Sequence, residues 1–124
     1  PPTLLPPSTE GWPVRVSHDL DSALGDVDAV YLLRMQQERM TEALVPSLRE
    51  YTACYGLTRQ RVDLLGDKAI VMHPGPMNRG VEIAADVADL PRSVVIDQVR
   101  NGVAVRMAVL FDLLGSGRDL EAKP

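Results

Sequence analysis

The chain has 124 residues, 45% apolar and 24% charged, with a net charge of −4 and a single cysteine. That length holds one compact domain, the apolar share is enough for a core and argues against global disorder, and the negative balance argues against non-specific nucleic-acid binding. Cys54 alone excludes an intrachain disulfide and any multi-cysteine metal site, which fits a reducing, cytoplasmic setting. No apolar run reaches the roughly 18 residues that a membrane span needs, and no basic segment followed by an apolar one marks a secretory signal.

The chain opens Pro1-Pro2-Thr3-Leu4-Leu5-Pro6-Pro7 without an initiator Met, which reads as a loop or linker and as an internal piece of something longer. Residues 1–13 should lack regular structure. Val14-Arg15-Val16 alternates like an edge strand. Ser17 or Asp19 can cap a short helix over Leu20–Leu24, stopped at Gly25. Ala29-Val30-Tyr31-Leu32-Leu33 is apolar on both faces, as a buried parallel strand is. The polar stretch from Arg34 towards Leu44 has no period and reads as a loop. Pro46 can start a helix through Tyr55, with Cys54 buried on it, and Thr58 a second through Leu65, each stopped by glycine. Ala69-Ile70-Val71-Met72 is the next buried strand. Val81-Glu82-Ile83 reads as extended and Ala84–Leu90 as a turn or short helix.

The last element is the longest. With Ser93 as N-cap, Val95, Ile96, Val99, Val103, Met107, Leu110 and Leu114 recur at spacings of 3 and 4, so a helix runs from about 94 to 114. Gly102 inside it implies close packing or a kink. The order of elements is that of an α/β fold with a partial doubly wound parallel sheet, ending in a long C-terminal helix.

In open α/β sheets ligands bind beyond the carboxyl ends of the strands, and two such ends here are chemically unusual. After the first, alternation puts Arg34 and Gln36 on one side. Arginine offers a fork for a carboxylate, glutamine a neutral donor and acceptor, and Glu38 can orient the guanidinium; a solvated polar loop is the other reading. The second end is His73-Pro74-Gly75-Pro76. Its prolines remove N–H donors and leave bare carbonyls suited to an amine or amide, and the Gly-Pro bond can be cis; a rigid strand exit without a ligand is the alternative. His73 is as well read as a packed histidine as an acid–base group. Asn78-Arg79-Gly80 reads as a turn, and Asp97, Gln98, Arg100 and Arg106 as surface or interdomain contacts. His18 and Asp19 lack a third ligand, so no metal and no cofactor is expected.

Three stretches, Leu33–Met40, His73–Ile83 and Gln98–Ala108, in this order and spacing, resemble the C-terminal half of the bacterial aspartate carbamoyltransferase family. The resemblance covers nearly the whole chain. It implies a Rossmann-like aspartate-binding domain, of which residues 1–124 form most, with the carbamoyl-phosphate domain and the first strand and helix absent. It implies transfer of a carbamoyl group from carbamoyl phosphate to L-aspartate in pyrimidine synthesis, by a homotrimer that in some members joins a regulatory chain or a dihydroorotase. Carried over, Arg34 would grip a substrate carboxylate with Gln36 assisting and Glu38 bracing, the carbonyls of Pro74 and Gly75 would hold the substrate amino groups, and Pro76 would be the cis proline. The segment after Gln36 would be the mobile loop that closes over aspartate. The family's Ser-Thr-Arg-Thr-Arg phosphate loop is not in the chain, so this segment alone should be inactive, with its final helix exposing an apolar stripe. Ornithine carbamoyltransferases, which usually have His-Cys-Leu-Pro at the second strand end, are the near rival, and a non-catalytic α/β binding module the distant one.

Overall fold

The computed structural model describes residues 1–36, 38 and 44–115. Two parallel strands, β1 (Ala29–Tyr31) and β2 (Ile70–Met72), pair in the register Ala29↔Ile70, Val30↔Val71 and Tyr31↔Met72. Helix α1 (Leu20–Ala23) precedes β1, α2 (Leu48–Tyr55) and α3 (Arg59–Val62) lie in the crossover, and α4 (Ala85–Ala88) and α5 (Val95–Leu114) follow β2.

Local chemistry explains the helix starts. Asp19, Ser47 and Thr58 each sit in extended backbone and accept a hydrogen bond from the N–H three residues on, which satisfies a donor that the first turn leaves open. Gly56 ends α2, and its lack of a side chain is required. A Cβ there would lie 2.6 Å from the carbonyl of Thr52 and 2.7 Å from that of Val81. Neither backbone atom can yield cheaply, so Gly56→Ala is expected to cost about 1–3 kcal/mol, as overpacking does, read by urea unfolding of the complete gene product.

The core gathers Leu24, Leu57, Val62, Leu65, Ala69, Val71, Ile83, Val87 and Ala88. It takes in the apolar sides of α3 and α4 and the middle of β2. Leu57 also bridges Ile83, with Leu57 N–H donating to the Glu82 carbonyl and Ala84 N–H to the Leu57 carbonyl, each at 3.0 Å. That bridge fastens the loop after β2 to the chain between α2 and α3.

Several expectations change. Val14–Val16 forms no strand, and Pro2–Leu4 makes one 3-10 turn inside the proline-rich opening. Instead the second edge of β2 is taken by residues 92–94: Val71 N–H donates to the Arg92 carbonyl and Val94 N–H to the Val71 carbonyl. Because this backbone is committed to β2, Ser93 does not cap α5; Val94 is the N-cap, without a side-chain bond. β1 ends at Tyr31, and Ala29 and Tyr31 are exposed, since β1 pairs along one edge only among the described residues. Residues 81–83 are a turn closed by the Arg79↔Ile83 bridge rather than an extended run. Cys54 is exposed, not buried. α5 passes Gly102 unbroken, and a Cβ there would meet nothing within 4 Å, so neither a kink nor close packing accounts for it.

Only Val95 of α5 is buried. Ile96, Val99, Val103, Met107, Leu110, Phe111 and Leu114 are all more than half exposed. The apolar stripe seen in the sequence is therefore uncovered among the described residues. No helix among them is long and apolar enough to cross a membrane.

Candidate functional site

Because β1 and β2 are adjacent and parallel, their carboxyl ends open side by side, and Leu32 N–H continues the pairing by donating to the Met72 carbonyl at 2.9 Å. The two unusual segments of the sequence begin just beyond. After β1, Met35 is buried while Arg34 and Gln36 on either side of it are half-buried. An apolar anchor between two polar residues holds the backbone and leaves both polar side chains access to solvent. Arg34 Nη2 pairs with Glu38 Oε1 at 2.7 Å.

After β2 the chain turns at once. The Gly75–Pro76 peptide is cis, and Gly75 has φ +64°, a left-handed conformation that glycine adopts without a Cβ clash. Pro74 and Pro76 are exposed. Among the described residues the carbonyls of Pro74 and Gly75 accept no hydrogen bond. Two acceptors thus remain open on this turn, which follows the strand paired with the one leading to Arg34.

Beneath this turn lies a buried polar network. His73 and Glu82 are both completely buried. His73 Nδ1 accepts from Gly75 N–H at 2.9 Å, so the ring proton sits on Nε2 and donates to Glu82 Oε1 at 3.2 Å. Glu82 Oε1 also accepts from Asn78 N–H at 2.5 Å. The amide of His73 donates to Gln98 Oε1 at 3.0 Å, and Gln98 Nε2 donates to the Tyr31 hydroxyl at 3.1 Å. With both ring nitrogens engaged inside the protein, His73 fastens the turn from below. The Glu82 carboxylate also reaches α2: the Tyr51 hydroxyl is held above its ordinary range first by burial, then by Glu82 and then by Tyr55.

Sequence reasoning missed three residues of this network. Asn78, read as part of a turn, also crosses between the segments: Nδ2 donates to the Met35 carbonyl at 3.0 Å, and Oδ1 faces Arg34 Nε at 3.5 Å. Gln98, read as a surface or interdomain residue, ties α5 to the turn. Glu82, read only as part of an extended run, is the acceptor at the centre. A lone acidic residue inside an apolar run, Val81-Glu82-Ile83, was the signal available. Arg79 and Gly80 close the loop: Gly80 has φ +87°, and the Arg79 fork grips both oxygens of Asp89 at 2.8 Å. That pair holds the Asp89 carboxyl below its ordinary range, by hydrogen bonding first and by charge as well.

The loop expected to close over a ligand falls on residues 37 and 39–43, which lie outside the described residues. Among the described residues no group of three or more His, Cys, Asp and Glu side chains converges as metal ligands would. The arrangement therefore offers one cationic fork and two bare carbonyls. Those groups suit a carboxylate and an amine.

Residues 7–113 match the family model described as aspartate/ornithine carbamoyltransferase, Asp/Orn binding domain. The chain is 63% identical over 117 residues to the aspartate carbamoyltransferase catalytic subunit of Acidothermus cellulolyticus, covering 94% of this chain and 36% of that protein. It is 59% identical over 122 residues to the corresponding subunit of Mycolicibacterium smegmatis, covering 98% and 38%. The chain thus spans little more than a third of the length of these relatives. Among solved structures it resembles aspartate transcarbamoylase from Trypanosoma cruzi in complex with carbamoyl phosphate, with TM-score 0.63 and 33% identity over 73% of this chain and 28% of the other. Ornithine carbamoyltransferase from Pyrococcus furiosus gives TM-score 0.66 and 27% identity over 80% and 31%. With residues 7–113 matched by this one family model, the chain belongs to the aspartate/ornithine carbamoyltransferase family, as its Asp/Orn-binding domain.

Proposed function

We propose that the chain is the aspartate-binding part of an aspartate carbamoyltransferase, which transfers a carbamoyl group from carbamoyl phosphate to L-aspartate as a step of pyrimidine synthesis. Backbone shape alone does not choose the acceptor, since the aspartate and ornithine structures match it about equally well. The observation that carries the choice is the guanidinium of Arg34, braced by Glu38 at 2.7 Å, just past a strand that pairs in parallel with the one leading to Pro74 and Gly75. A dicarboxylate calls for a cationic fork, and the cationic side chain of ornithine would be disfavoured beside one.

In this reading Arg34 grips one aspartate carboxylate and Gln36 assists. The Pro74 and Gly75 carbonyls accept N–H bonds from the aspartate amine and the carbamoyl amide. The amine nitrogen forms a bond to the carbamoyl carbon, the carbon–oxygen bond to phosphate breaks, and the amine proton leaves with the products. No covalent enzyme intermediate is needed, because orientation of the two reactants and stabilisation of the tetrahedral carbon supply the catalysis. The groups that hold the phosphate would come from a carbamoyl-phosphate domain, which is not part of these 124 residues. A cytoplasmic homotrimer is the assembly that suits this reading.

The test is a transfer assay on the complete gene product, with L-aspartate and L-ornithine as separate acceptors and the 124-residue chain as a third sample. Transfer to aspartate by the complete product alone is the expected result. Transfer to ornithine, or to neither amine, would overturn the reading.

A further inference from the structure

The residues after β1 and the turn after β2 belong to different parts of the chain, yet the chemistry proposed above needs the guanidinium of Arg34 and the carbonyls of Pro74 and Gly75 at a fixed separation. The turn is fastened from below through backbone atoms and buried side chains: Gly75 N–H to His73, Asn78 N–H to Glu82 and His73 N–H to Gln98. None of these bonds reaches the Arg34 segment. The side chain of Asn78 does, donating to the Met35 carbonyl at 3.0 Å and turning its oxygen to Arg34 Nε at 3.5 Å. Glu38 holds the other end of the same guanidinium. With Nε facing Asn78 and one Nη2 hydrogen on Glu38, three of the five guanidinium hydrogens remain for a ligand.

We infer that Asn78 is a positioning residue, a clamp whose side chain sets Arg34 in register with the carbonyl turn and thereby tunes the affinity for the amino-acid substrate; this rests on the aspartate reading above. The backbone and side chain of Asn78 have separate tasks. Its N–H holds the turn through Glu82, and its amide group holds the neighbouring segment. A side-chain substitution therefore leaves the turn anchored and releases only Arg34 and Met35. An alanine here should weaken the grip on aspartate without touching the site of the other substrate.

The experiment is steady-state kinetics on the complete gene product, varying each substrate at saturating amounts of the other. For Asn78→Ala we expect the KM for L-aspartate to rise about tenfold, the change that follows from losing one or two hydrogen bonds of which one is to a charged group. The KM for carbamoyl phosphate should stay within about twofold of the unaltered enzyme, since the turn keeps its own anchors. Asn78→Ser, which keeps the polarity but lacks the reach, should show the same split and serves if the alanine variant folds poorly. Adding Asn78→Ala to Arg34→Ala should change the aspartate KM by less than about twofold, because the clamp acts through Arg34. A residue that merely supports the fold would raise both KM values together and add its effect to that of Arg34→Ala. Either of those outcomes, or an unchanged aspartate KM, overturns the inference while the function stands. An unaltered enzyme that transfers to neither amine overturns the function and the inference with it.

Discussion

Replacing Arg34 with alanine in the complete gene product is expected to raise the KM for L-aspartate by about ten- to a hundredfold, the range that follows from losing a charge-assisted pair of about 1.5–3 kcal/mol. The turnover number should fall as well, because an aspartate held only at its amine samples orientations from which the nitrogen cannot reach the carbamoyl carbon. The fold should survive, since Arg34 is half-buried and its partner Glu38 exposed, and Met35 beside it supplies the apolar anchor. Arg34→Lys should restore little. An ammonium is a compact charge without the planar fork, and it cannot face Glu38 and Asn78 while also gripping a carboxylate. Initial rates against aspartate at saturating carbamoyl phosphate provide the check. A kinetically silent Arg34→Ala would sink the aspartate assignment.

The second large effect concerns stability. Glu82→Ala removes the acceptor for two N–H groups, His73 Nε2 and Asn78 N, in a region where His73 and Glu82 have no solvent access. Each buried donor left unsatisfied costs about 1–3 kcal/mol, so the substitution should destabilise by about 3 kcal/mol or more. Glu82→Gln keeps an oxygen for the same two donors. Its amide nitrogen takes the place of Oε2, which has no hydrogen-bond partner among the described residues. The glutamine variant should therefore be clearly more stable than the alanine one. Urea unfolding of the two variants side by side measures the difference, and equal midpoints would show that the carboxylate oxygen does not hold the turn. Because the same network carries the Pro74 and Gly75 carbonyls, the alanine variant should also lose transfer activity at temperatures where it remains folded.

The helices that local chemistry can start were legible in the sequence. Asp19 and Thr58 are capping residues three positions from the N–H groups they serve, so no distant part of the chain is needed to recognise them, whereas the start read at Pro46 lies one residue before the actual cap, Ser47. The apolar runs around Val30 and Val71 were legible for the same reason. The 14–16 alternation was not a strand, because a strand exists only with a partner edge. The edge of β2 that remained open was taken instead by residues 92–94, which a capping pattern had assigned to a helix start. Cys54 shows the other limit: periodicity places a residue on a helix, while burial depends on what packs against that helix.

The sequence by itself determined the α/β character, the long last helix, the family, and the chemical types gathered at the two strand ends, because each of these follows from local patterns and their order along the chain. Only the tertiary structure decided that the two strand ends, one leading to Arg34 and the other to Pro74 and Gly75, open next to each other, since that depends on β1 and β2 pairing in parallel across 38 intervening residues, from Leu32 to Ala69. It alone brought Asn78, Glu82 and Gln98 into the site. Their hydrogen bonds run to partners 4 to 67 positions away, and a polar side chain carries no mark in the sequence of the distant atom it will meet.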